Sequence, residues 1–129
     1  MKVIKDNKGQ ALVEFAIILP ILMLIVMGII QFGFMINSYL TIANLSREAA
    51  RLGIIGSSYS EIENDIIFKA PNLDADELSI NISPSDSNRK SGDTLNVKIY
   101  YNYKLTVPII SSMFNNEIEL SSECSMRIE

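Results

Sequence analysis

The chain of 129 residues contains no histidine and a single cysteine, Cys124. Without histidine, hydrolytic triads built on an imidazole base are excluded, and so are most zinc sites. With one cysteine there is neither an intramolecular disulfide nor a metal site of paired thiolates. A basic patch is missing as well. Residues 1–9 carry three lysines and one aspartate, a net charge of +2, so the total of −4 leaves residues 10–129 with −6. An acidic chain of this kind is not built for nucleic acid. Charge is also missing from residues 15–36, where Gln31 is the only strongly polar side chain.

That last absence implies a membrane. A bilayer core needs about 20 residues of apolar helix, and residues 16–36 supply them almost without a break. The remaining length accommodates one small domain. Lysines are retained on the cytoplasmic side of a span. The sequence therefore predicts a cytoplasmic N-terminus and an extracytoplasmic C-terminal domain. A cleaved secretory signal is the competing reading, but its apolar stretch would be about 7 to 15 residues and end at a small-x-small site, which is not found here.

A continuous helix over residues 11–55 would reach roughly 65 to 70 Å, longer than any bilayer, so its second half must project outward. Pro20 removes one hydrogen bond inside it and predicts a bend, either without function or serving as a hinge during extraction from the membrane. Gly28 and Gly33 read either as slack or as points of close helix approach. From Asn37 the helix turns amphipathic, with Ile42, Leu45, Ala49 and Leu52 on one stripe expected to cover the chain's own sheet. Gly53, Gly56, Ser57 and Ser58 are expected to end it. Ser60-Glu61-Ile62-Glu63 fits a capping box for a second helix with Ile62, Ile66 and Ile67 on its apolar face, stopped by Pro71.

Beyond the acidic loop of Asp74, Asp76 and Glu77 the period changes to two. Leu78, Ile80 and Ile82 alternate with polar residues, and residues 84–93 form a turn-rich loop. Leu95, Val97, Ile99, Tyr101, Tyr103, Leu105 and Val107 then share one face of a long strand, and Ile118, Leu120, Cys124, Met126 and Ile128 share the next. The fold expected is α+β, a long helix packed on a small antiparallel sheet of about three strands. The divisions are residues 1–9 as leader, 10–36 as transmembrane helix, 37–56 as its amphipathic extension, and 57–129 as the external domain.

Glu14 stands out chemically. A carboxylate within or beside a span is costly and needs a reason, the alternative being an acid that reaches the headgroups. Asp74, Asp76 and Glu77 lack a calcium-loop pattern and read as a solvated loop. Cys124 lies in the inward strand phase and reads as core, with intermolecular oxidation as the alternative. Asn44-Leu45-Ser46 and Asn81-Ile82-Ser83 fit the glycosylation pattern, which is frequent by chance.

Gly9, with Glu14 at the fifth position after it and Phe15 at the sixth, behind a short basic leader and ahead of a span, resembles the processing site of type IV prepilins and pseudopilins. More narrowly, Gly-Gln-Ala-Leu-Val-Glu-Phe-Ala, Leu19-Pro20, Gln31-Phe32-Gly33 and Ala49-Ala50-Arg51 resemble TadE-like proteins of tight-adherence pilus systems. The resemblance is dense from Gly9 to about Gly53 and diffuse over the strand-rich tail.

It implies cleavage after Gly9 by a prepilin peptidase, which would leave a positive amine on Gln10. It also implies assembly through the N-terminal helix, with Glu14 meeting that amine on a neighbouring subunit. Implied partners are the peptidase, other pilin-like subunits, the inner-membrane assembly platform with its separate ATPase, and membrane lipid. No enzyme activity, cofactor or metal is expected. The sizeable tail favours a minor subunit over a bulk one. A single-pass anchored binding module is the alternative; an anchored carboxylate hydrolase is a weaker one, because Glu117, Glu119 and Glu123 alternate outward.

Overall fold

A computed structural model of the chain describes residues 7–129. Lys2, Lys5 and Asp6 of the expected leader lie outside the described residues. Apart from two single 3-10 turns, Ala75–Glu77 and Asp86–Asn88, the described residues form α1 (Asn7–Ile54), α2 (Tyr59–Lys69), β1 (Leu78–Ser83), β2 (Thr94–Lys104), α3 (Pro108–Met113) and β3 (Glu117–Arg127) in order. The architecture is α+β, one long apolar helix followed by a three-stranded antiparallel sheet in the order β1-β2-β3.

α1 is 48 residues long, roughly 70 Å at helical rise, and is assigned as helix through Pro20. It ends where glycine permits. Gly56 has φ +97, its N–H donates to the Gly53 carbonyl at 3.3 Å, and the Ser57 N–H donates to the Leu52 carbonyl at 3.1 Å. This pair of bonds around a left-handed residue is the Schellman stop. Gly53, expected among the terminators, has a different task. A Cβ there would stand 2.2 Å from Leu95 Cδ2, so the missing side chain makes room for the sheet.

The capping box lies two residues earlier than the sequence predicts. Ser58, not Ser60, caps α2: the Glu61 N–H donates to Ser58 Oγ at 3.3 Å, and the Ser58 N–H donates to Glu61 Oε2 at 2.8 Å. The stop at Gly56 and Ser57 frees Ser58 first, and this frame turns Ile62 and Ile66 fully inward. Ile67 was expected on the same face but is 42% exposed, since one residue on from Ile66 it is turned by about 100° around the helix.

β2 is the central strand. Ile99 pairs with Ile80 of β1 and Ser122 of β3, and Val97 with Ile82 and Cys124. Leu95, Val97 and Ile99 are fully buried, and Cys124 lies half-buried at the core's edge. α1 covers this face with Ile42, Leu45, Ala49 and Ala50, and α2 closes it with Ile62 and Ile66. Leu105 and Val107 keep the inward phase and are buried, but the strand stops at Lys104. The ladder runs only as far as the Lys104 and Glu117 pair, because residues 108–113 have left for α3. Asn115 and Asn116, at φ 53 and 66, bring the chain back, a backbone region that asparagine tolerates better than most residues.

Candidate functional site

The first turns of α1 hold the residues singled out from the sequence. Gly9, Gln10, Glu14 and Phe15 are all exposed. Gln10 and Glu14 are one helical turn apart, and Gln10 Nε2 donates to Glu14 Oε1 at 3.2 Å. Within the chain, then, the carboxylate has an amide donor. Phe15 is 61% exposed on the same segment. Pro20 lies farther along, inside the helix.

Every residue of 7–30 is exposed or half-buried. Ile17, Ile18, Ile21, Met23 and Ile29 all stand more than half exposed. An apolar helix with no covered side is not a soluble core helix. Among the described residues α1 is the one helix long and apolar enough to cross a membrane.

From Gln31 upward the surface changes. Gln31, Ser38, Ile42, Leu45, Ala49 and Gly53 form a buried stripe at spacings of three, four and seven. Gln31 itself is 6% exposed. Its Oε1 accepts the Val107 N–H at 3.0 Å, and its Nε2 donates to Thr106 Oγ1 at 3.2 Å. Since Pro108 follows and the ladder has ended, Val107 has no strand partner; Gln31 satisfies its amide across 76 residues of sequence. Just below, a Cβ on Gly28 would stand 3.4 Å from Ile110 Cδ1 of α3, so Gly28 is a point of close approach, whereas Gly33 has nothing within 4 Å. The folded domain therefore reaches down α1 into residues 10–36. Sequence alone singled out Gln31 as the lone polar residue of the run; what it did not contain was the partner.

Ionic contacts tie the upper part together. Glu48 Oε1 accepts from Arg51 at 2.9 Å and from Lys69 of α2 at 3.0 Å, and Lys69 also pairs with Asp65 at 3.1 Å. Hydrogen bonds from Arg51 and then Lys69 hold the Glu48 carboxyl below the ordinary carboxylate range, and the bonds of Lys69 to Glu48 and then Asp65 raise it above the usual lysine value. The acidic loop is structural: Asp74 Oδ1 accepts the Asp76 N–H at 3.1 Å, and Glu77 pairs with Lys104 at 3.1 Å.

Residues 9–51 match the family model described as TadE-like protein. Over that segment the chain is similar to TadE-like proteins. No curated protein and no solved structure matches it. The TadE-like segment takes in Gly9, Gln10, Glu14, Phe15, Pro20, Gln31 and the buried stripe as far as Ala50. It stops short of the sheet, so the similarity concerns the helix alone, and the small domain is described by its own packing.

Proposed function

We propose that this chain is a minor pilin-like subunit of a tight-adherence pilus. A membrane prepilin peptidase cuts it between Gly9 and Gln10, and it then assembles through the lower half of α1. It works as a non-enzymatic subunit, together with other pilin-like subunits and an inner-membrane assembly platform. The observation that carries this reading is the uncovered apolar helix whose first turns hold Gly9, Gln10 and Glu14 within the TadE-like segment.

Gly9 would seat beside the cut with no side-chain bulk. The Gly9–Gln10 bond lies at the exposed lower end of the described part of α1. Cleavage frees an amine on Gln10. In a neighbouring subunit the Glu14 carboxylate would exchange its Gln10 amide donor for such an amine. A desolvated pair of this kind fixes register more than it adds net stability, because desolvation offsets the attraction.

Intact mass and N-terminal sequencing test the reading, on protein from cells with and without the peptidase. The expected result is a peptidase-dependent start at Gln10. A start at Met1 in both would leave a plain membrane anchor carrying a small external domain. Glu14→Ala is expected to enter the membrane and be cut normally but to fail in assembly; assembly equal to the parent would remove the pairing.

A further inference from the structure

Lys104 and Glu117 face each other at the last rung between β2 and β3. Between them, residues 105–116 carry no charged side chain. α3 forms the middle of this excursion, and its inner side is accounted for: Ile110 lies against Gly28 and Ser111 is buried. Its outer side is not. Ile109, Met113 and Phe114 are 54%, 74% and 51% exposed. Beside them an open apolar groove of about 250 Å³ runs between Met27, Ile30 and Phe34 of α1 and Tyr103, Val107 and Pro108.

Height along α1 decides what covers this surface. A hydrocarbon core of about 30 Å takes about 20 helical residues. Glu14 and Lys8 mark where it begins, and a start between residues 11 and 15 puts its far edge between residues 30 and 34. At helical rise, Gly28 then lies roughly 3 to 9 Å inside that edge. Ile110, which touches Gly28, lies in the same layer.

Irregular backbone at such a depth must satisfy its polar groups internally. Much of the turn-forming backbone here is bonded within the protein. The Val107 N–H goes to Gln31 at 3.0 Å, Leu105 to Asn116 at 2.8 Å, Ser111 to Val107 at 2.8 Å, and Asn116 to Ser111 at 2.7 Å. A loop in water would not need so uncharged a composition.

We propose that α3 and its flanks are a membrane-dipping foot. Ile109, Met113 and Phe114 are covered by acyl chains of the leaflet on the domain's side, acyl chains fill the neighbouring groove, and Lys104 and Glu117 stand at headgroup level. The proposal rests on α1 being a membrane span.

Spin labels test it in the full chain, reconstituted in phosphatidylcholine and phosphatidylglycerol vesicles. Single cysteines Ile109→Cys, Met113→Cys and Phe114→Cys are placed in a Cys124→Ser background, with Leu22→Cys in the span and Phe68→Cys on α2 as references. Collision with oxygen is compared with collision with a water-soluble nickel chelate. The three foot positions are expected to read about 5 to 10 Å below the headgroup boundary, the depth of an interfacial helix. Residue 22 should read deeper, and residue 68 should read water. If the foot positions match residue 68 while residue 22 reads lipid, the span stands and the foot is overturned. Labels shielded from both reagents and broadened by spin–spin coupling would mean that a second copy covers α3, which also overturns it. A water reading at residue 22 would remove the span itself, and the foot with it.

Discussion

Below Gln31, α1 turns Ile21, Met23 and Ile29 outward at 59%, 55% and 67% exposure; above it, Ile42 and Ala49 are wholly buried against the sheet. The residue types are alike and the helix is continuous, yet the two halves are apolar for different reasons. The lower half is apolar on all sides, as a helix that crosses a membrane must be, while the upper half is apolar along one stripe, as a helix that packs on a sheet must be. What an isoleucine contributes to the fold depends on which half it occupies.

The sharpest test of that contrast applies one substitution twice. Ile42→Ala is expected to cost the domain about 2 to 5 kcal/mol, the usual range for a truncated buried isoleucine. Ile21→Ala should leave the domain's stability unchanged. Denaturant unfolding in micelles, followed by the near-ultraviolet tyrosine signal, measures both. Equal losses would mean that the lower half also packs on the domain.

The boundary between the halves is tested at Gln31. Gln31→Leu keeps the apolar character of the run but leaves the Val107 amide buried without an acceptor, an expected loss of about 1 to 3 kcal/mol. Hydrogen exchange should quicken at Val107 and remain slow at Ile99 in the centre of β2. Unchanged exchange at Val107 would mean that water or another group satisfies it.

The smallest effect is expected where the upper half meets α2. The folded Glu48 carboxyl titrates below its unfolded value. Its contribution is therefore complete above the ordinary carboxylate range and is lost as pH falls through the lowered folded value. Melting temperature should drop over that acidic window, and Glu48→Gln should make the drop shallower. The change is small because Arg51, Lys69 and Glu48 are all partly solvated.

Much of this was legible in the sequence. The three strands, their inward residues and the stripe Ile42, Leu45, Ala49 follow from periods of two and 3.6, which local sequence carries directly. Periodicity names a face and is silent about what meets it. That is why Gln31 was visible as an exception while Thr106 and Val107 were not its evident partners. It is also why Gly53 read as a helix end when its role is clearance for Leu95. Ser58 and Ser60 both begin a Ser-x-x-Glu pattern, and only the Schellman stop before Ser58 selects between them. α3 leaves no periodic signal, since a helix of six residues is too short to show one.

No linker separates the lower half of α1 from the sheet. The rod that carries the apolar surface is also the backing on which the head is mounted, and Gln31 rivets the two together near the foot of the head. The head cannot swivel about the rod. Along the upper half one flank is already occupied, so a neighbour that lies alongside must approach the opposite one, where Ile36, Leu40 and Arg47 are exposed. In a cluster of such rods every head would point outward at a fixed azimuth, and the girth of the cluster would be set by the heads rather than by the rods.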